Sequence, residues 1–202
     1  MRLTKFGHAC VRLESGGRAL VIDPGIWSEP AALDGADTVL LTHEHDDHVD
    51  ADRLVVLDAP VYAPADADLS QLEALRPVTR VRVGKVFSAA GFTIEAVGGR
   101  HAFIFGGQPD CANLGYVVNG STYHPGDALH VPDRPLETLL VPMQGSWLKV
   151  EEAIGFVNAI KPARAFGIHD AQLNDRGIDG INGWLAEEST TEYRYLASGE
   201  SA

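Results

Sequence analysis

The chain has 202 residues, 45% of them apolar and 22% charged, which suits one globular domain, spanning 1–202, with a substantial core. Its net charge of −12 works against nucleic acid or an anionic membrane as a main partner, because either is repelled at long range. No stretch approaches the roughly 20 apolar residues of a membrane span.

Arg2–Phe6 and Cys10–Leu13 read as strands around Gly7-His8-Ala9, with a hairpin turn at Ser15-Gly16-Gly17. His8 stands either at the mouth of a site or as the cap of a strand turn. Ala19–Ile22 is a buried strand ending in Asp23-Pro24-Gly25, and Asp23 either bonds its own turn or faces inward. Asp37–Leu41 is a further short buried strand. The run that follows it, His43-Glu44-His45-Asp46-Asp47-His48, packs three histidines and three acids into six positions. A strand end holds loop side chains in fixed geometry, as metal ligation requires. Read as extended chain, His43, His45 and Asp47 point one way and His48 the other. Imidazole and carboxylate together suit zinc, iron or manganese.

Ala51–Leu57 reads as a helix capped by Asp50, Val61–Ala63 as a strand, and Ala65–Leu75 as a helix with Leu69, Leu72 and Leu75 on one side. Strands at Arg80–Val83, Lys85–Ser88 and Phe92–Val97 lead to Gly98-Gly99-Arg100-His101, where a histidine again stands at a strand end. Leu114–Val118 and Ser121–Tyr123 form a hairpin about Asn119-Gly120, followed by His124-Pro125-Gly126-Asp127. Leu139–Pro142 is a strand, and Gly145-Ser146-Trp147 after it is placed to line a pocket. Val150, Ala153, Ile154, Val157 and Ile160 give an amphipathic helix whose stripe serves the core. Arg164–Ile168 is a strand ending in His169-Asp170, Ile178–Glu188 a helix, and Glu192–Leu196 a last strand before a tail expected to fray. His130 falls outside every motif and reads as surface. Cys10 and Cys111 read as small buried thiols rather than a disulfide framework. With no apolar core in Met1–Phe6, a cytoplasmic location is expected.

The H-x-H-x-D-H run at His43, His45, Asp47 and His48 resembles the signature of the metallo-β-lactamase fold superfamily. The resemblance continues in order through Asp23, His101, Asp127 and His169, across almost the whole chain. It implies an α/β fold, an αββα sandwich of two mixed sheets flanked by helices, with the site at a sheet edge. It also implies two divalent ions, zinc first and manganese or iron otherwise. One ion takes His43, His45 and His101; the other takes Asp47, His48 and His169; Asp127 bridges them, and Asp23 supports the metal loop. The activity implied is hydrolysis of a small ester, lactone or phosphodiester by metal-activated water, with Asp47 orienting the nucleophile. His124 is either the proton donor to the leaving group or a hydrogen-bonding support. The substrate expected is a small anionic molecule, and a homo-oligomer is left open. The short length and the Gly7-His8 and His124–Asp127 stretches look most like the L-ascorbate-6-phosphate lactonase-like branch. Two other classes share the motif: a mononuclear iron enzyme oxidising persulfides or thiols, and a non-catalytic metal-binding protein. Pocket-lining loops are placed at Ile26–Asp34, Phe103–Asn113 and Gln144–Leu148, with Gly106, Gly107 and Pro109 suggesting one that moves over the site.

Overall fold

The computed structural model describes residues 1–106 and 111–202. Two sheets face each other. The first has six strands in sequence order: β1 (Arg2–Lys5), β2 (Val11–Ser15), β3 (Arg18–Ile22), β4 (Thr38–Leu40), β5 (Val61–Pro64) and β6 (Thr79–Val81). Its first three strands are antiparallel, joined by short turns, and its last four run parallel. The second sheet has seven strands in the order β13-β12-β11-β10-β9-β8-β7. These are β7 (Val86–Ala89), β8 (Phe92–Arg100), β9 (Ala112–Val118), β10 (Thr122–His124), β11 (Thr138–Pro142), β12 (Arg164–Ile168) and β13 (Glu192–Arg194). Among the described residues four α-helices complete the framework: α1 (Ala51–Val55), α2 (Ser70–Glu73), α3 (Val150–Ile160) and α4 (Asp175–Glu188).

The layers follow from the apolar pattern. Leu13, Leu20, Ile22 and Leu40 of the first sheet meet Ile94, Tyr116, Leu140 and Phe166 of the second in a central core. The opposite face of the first sheet (Val21, Val39, Val61) packs with Leu54 of α1 and Leu72 of α2. The opposite face of the second (Val117, Leu139, Val141) packs with Ala153, Phe156 and Val157 of α3 and Leu185 of α4. Each sheet is therefore buried on both faces, which is why its central strands read as continuous apolar runs. The result is the αββα sandwich the sequence implies.

Four local expectations are corrected. The helix expected over Ala65–Leu75 shrinks to α2, and Leu75 is 68% exposed. The segment before it is held in turns: the Ala65 amide donates to the Val81 carbonyl, and the Asp68 amide to the Glu44 carboxylate. β8 does not stop at Val97. It runs through Gly98 and Gly99 to Arg100, paired with β9 through Arg100↔Ala112. On α3, Phe156 is buried while Val150 is 36% exposed, so the buried stripe is rotated from the expected one. The C-terminal tail is tied to β1: Leu3 and Ala202 exchange both backbone hydrogen bonds, and the Lys5 amide donates to the Glu200 carbonyl. Gly107 and Pro109 of the expected moving loop lie outside the described residues.

Candidate metal centre

The site forms where strands of both sheets end. After β4 the chain does not stay extended through 43–48. The amides of His48 and Val49 both donate to the His45 carbonyl, turning the loop back on itself. The alternation expected of extended chain is thereby lost. His43 and His45 stay together, their Nε2 and Nδ1 atoms 3.1 Å apart, while Asp47 swings to the side of His48. Gly25 permits this turn. A Cβ built there lies 1.9 Å from the Asp47 carbonyl oxygen, so only a residue without one fits beneath the loop. The second sheet supplies the rest from the ends of β8, β10 and β12: His101, Asp127 and His169.

The ligand atoms converge in overlapping groups, each within 4.8 Å: His43, His45 and His101; His8, Asp47, His48 and His169; and His43, His48 and Asp127. Asp127 lies between the first two groups. Its Oδ1 is 3.1 Å from His48 Nε2, and its Oδ2 is 3.1 Å from His169 Nε2 and 3.4 Å from His101 Nε2. His8 is the unassigned member, its Nε2 3.0 Å from Asp47 Oδ2.

The ring nitrogens facing away from the centre are mostly occupied, and this fixes those facing inward. His48 Nδ1 donates to Asp23 Oδ2 at 2.7 Å. Asp23 also accepts from the Thr42 amide and the Thr42 hydroxyl, both at 2.7 Å. With its proton given to Asp23, the Thr42 hydroxyl accepts from His43 Nδ1 at 3.0 Å. His101 Nδ1 donates to the Ala102 carbonyl at 2.6 Å. In each of these three rings a proton sits on Nδ1, so Nε2 is the nitrogen that faces the centre and would present its lone pair to a cation. His48 Nε2, His101 Nε2 and Asp127 Oδ1 are buried without a hydrogen-bond partner among the described residues. Buried polar atoms are rarely left so, and a cation between them would satisfy all three. The residues fit a metal centre on this ground.

The electrostatics agree. Burial opposes charge on His48, yet Asp127 and Asp23 raise its pKa well above the ordinary value. Burial lowers His101, but Asp127 and the Ala102 carbonyl raise it overall. Burial opposes ionisation of Asp127, but His48 and His169 hold it well below the carboxylate range. Burial likewise opposes ionisation of Asp47, while the His8 hydrogen bond and His48 bring it to about 2. Burial, with His48 beside it, drives His43 well down, and burial and His101 lower His45. The acids remain charged, and Asp127 favours a second proton on His48 and His101. A divalent ion would take the place of those protons.

His124 is fully buried outside this cluster. Its Nε2 donates to the Ala9 carbonyl at 2.8 Å and its Nδ1 accepts from the Gly126 amide at 3.1 Å. Both nitrogens are committed to backbone, so of its two roles the geometry favours hydrogen-bonding support over proton donation. His130 is exposed. Burial pushes the Cys10 thiol up, and the Cys111 thiol to about 12, so neither is a thiolate at neutral pH.

The opening is a cavity of about 120 Å³ lined by His45, Asp47, His101, Asp127, Ile104 and Trp147, among others. Trp147 Nε1 donates to Asp127 Oδ2 at 3.0 Å. A larger depression of about 400 Å³, lined by Ile26, Glu44, Asp46 and Asp50, holds none of the histidines. Thr42 and Asn113 escaped the sequence reading. Asn113 accepts from the Asp127 amide and donates to the Pro125 carbonyl. Thr42 stands directly before the histidine run, and only its hydrogen-bonding capacity marked it.

An αββα sandwich with a histidine and aspartate centre at the seam of its sheets defines a metal-binding α/β protein. A family model described as the beta-lactamase superfamily domain matches residues 2–169, and the chain belongs to the metallo-β-lactamase superfamily. Rv0786c of Mycobacterium tuberculosis is 39% identical, with 97% of this chain and 96% of that one covered. A UPF0173 metal-dependent hydrolase of Thermoplasma acidophilum is 28% identical, covering 84% and 83%. Among solved structures, a metallo hydrolase of Ignicoccus hospitalis superposes with a TM-score of 0.77 at 18% identity, over 100% of this chain and 97% of that one.

Proposed function

We propose that this chain is a metal-dependent hydrolase working with two divalent ions, zinc foremost, on a small ester, lactone or phosphodiester. The observation that carries the reading is the set of buried inward-facing atoms without partners: His48 Nε2, His101 Nε2 and Asp127 Oδ1. His43, His45 and His101 would hold one ion and Asp47, His48 and His169 the other, with Asp127 shared. Bound there, the ions would supply a water acidified toward neutrality and a positive field for developing negative charge.

The chain's own part is positioning. Asp47, ionised and 19% exposed at the cavity, accepts a hydrogen bond from the attacking water and orients it. Trp147 and Ile104 give the opening apolar walls beside the polar floor. Among the described residues lining this cavity there is no Lys or Arg, so the positive charge that draws a carboxylate or phosphate on the substrate would come from the ions. That favours a compact anionic molecule over nucleic acid, and a substrate of the kind the lactonase-like branch takes. The named metal-dependent hydrolase among the relatives supports the reaction class.

The test is elemental analysis followed by a screen of esters, lactones and phosphodiesters in oxygen-18 water. Two ions per chain and label entering product in the first turnover are expected. One ion in wild type, unchanged in His48→Ala, sinks the two-ion centre. An acyl adduct trapped on the protein, or strict dependence on dioxygen, sinks the hydrolytic reading.

A further inference from the structure

His8 belongs to the same cluster of ligand atoms as Asp47, His48 and His169, yet its hydrogen bonds give it a different task. Its Nδ1 accepts from the Ala171 backbone amide at 3.3 Å. An amide does not give up its proton, so Nδ1 keeps its lone pair and the ring proton sits on Nε2. That Nε2 is 3.0 Å from Asp47 Oδ2 and donates to it. A nitrogen carrying its proton has no lone pair to offer a cation.

The residue is tied on every side. Its carbonyl accepts from the His169 amide at 2.9 Å. Its ring lies 3.9 Å from the His169 ring and 4.9 Å from that of Trp27, centroid to centroid. It is 1% exposed. Both His8 and His169 hold left-handed backbone, with φ of 48° and 60°, which places the turn after β1 against the turn after β12. Asp47 comes from the first sheet and His169 from the second. His8 thus touches both across the seam.

We propose that His8 is a positioning residue that fixes Asp47 through Oδ2 and seats it against His169, holding this half of the centre together without ligating. The inference rests on the two-ion reading above. It goes further by giving His8 a donor's part and by assigning it to one ion and not the other.

Three variants separate the roles. In His8→Gln the side-chain amide reaches the place of Nε2 and donates to Asp47. In His8→Asn the shorter amide takes the place of Nδ1 and meets Ala171 but not Asp47. In His8→Phe neither contact remains. Circular dichroism and thermal melting of each metal-free protein check the fold. Chelator competition reads the affinity of each ion, and the visible absorption of the cobalt(II)-loaded protein reads its coordination. We expect the ion held by Asp47, His48 and His169 to lose about 10–100-fold in affinity in His8→Asn and His8→Phe, as loss of an orienting partner does elsewhere. The other ion should be unchanged, and His8→Gln should return to within a few-fold of wild type with a wild-type cobalt spectrum. Wild-type affinity in Asn and Phe overturns the proposal. So does a Gln variant as weak as Phe, or one with an altered cobalt spectrum, since a ligand is then missing. Wild type that never holds a second ion removes the two-ion reading and this assignment together. Two ions held equally by wild type and all variants removes the assignment alone.

Discussion

Asp23→Asn is the sharpest perturbation of the support beneath the centre. Asp23 is fully buried and accepts three hydrogen bonds at 2.7 Å, from the Thr42 amide, the Thr42 hydroxyl and His48 Nδ1. Its backbone is left-handed at φ 52°, a conformation that Asn tolerates about as well as Asp, so the change isolates the charge. The Asn oxygen retains the Thr42 amide, but its NH₂ replaces the acceptor of the other two bonds. Two charge-assisted bonds at roughly 1.5–3 kcal/mol each put about 3–6 kcal/mol at stake. Rotation of the Thr42 hydroxyl and a tautomer change at His48 return part of it, leaving a loss of about 2–4 kcal/mol in the metal-free protein. The tautomer change has a second effect, because it moves the ring proton to Nε2, the atom that faces the centre. Metal affinity should then fall about 10–100-fold, equal to roughly 1.4–2.8 kcal/mol. Urea unfolding of metal-free protein reads the first effect and chelator competition the second. Wild-type affinity in a destabilised, folded Asp23→Asn variant would refute the coupling from Asp23 through His48 to the ion.

Three further predictions follow from the same geometry. Loading the centre at pH 7 should release protons held on His48 and His101, seen as a dependence of calorimetric binding heat on the ionisation enthalpy of the buffer. Because its folded pKa is raised, the His48 contribution to metal-free stability is full below about pH 6.5 and is lost as pH rises through the raised value; metal binding strengthens over the same range, and equal heats in all buffers would contradict this. Gly25→Ala should displace the Asp47–His48 turn, since the new Cβ would sit 1.9 Å from the Asp47 oxygen, and overpacking of that kind costs about 1–3 kcal/mol; full metal content with an unchanged melting temperature would count against it. Lys5→Met leaves the buried Asp170 carboxylate, 2.7 Å from Lys5 Nζ and bonded by the Tyr195 hydroxyl, without its cation, and should lower stability by about 3–5 kcal/mol in denaturant titration.

The framework was legible because central strands such as β3, β4, β11 and β12 carry nearly continuous apolar runs, which a sheet buried on both faces demands. The candidate ligands His43 and His169 were legible because each stands just past the end of a buried apolar strand. The place of Asp23 at a strand end before Pro-Gly left two readings, and its carboxylate meets Thr42 and His48, as the family resemblance implied. What failed was local geometry set from a distance. The 65–69 segment has helical composition, but its amides are claimed by the Val81 carbonyl and the Glu44 carboxylate. The tail lacks any strand pattern, yet it pairs with β1 because that edge of the first sheet offers free backbone groups.

The least legible feature is backbone conformation at the centre itself. His8, Asp23 and His169 all hold left-handed backbone, each at a cost of order 1–3 kcal/mol for a side-chain-bearing residue. Nothing in their identity signals it. The cost is borne because each residue is held by partners from elsewhere in the chain: His8 by Asp47 and Ala171, Asp23 by Thr42 and His48, and His169 through its amide by the His8 carbonyl. The strain converges on the seam that no single sheet can close alone. His169 sits on such a bend at the end of β12, and His8 and Asp23 sit on theirs after β1 and β3, where they hold Asp47 and His48. A substitution that relaxed one of them would gain local stability and lose the alignment on which cation binding depends.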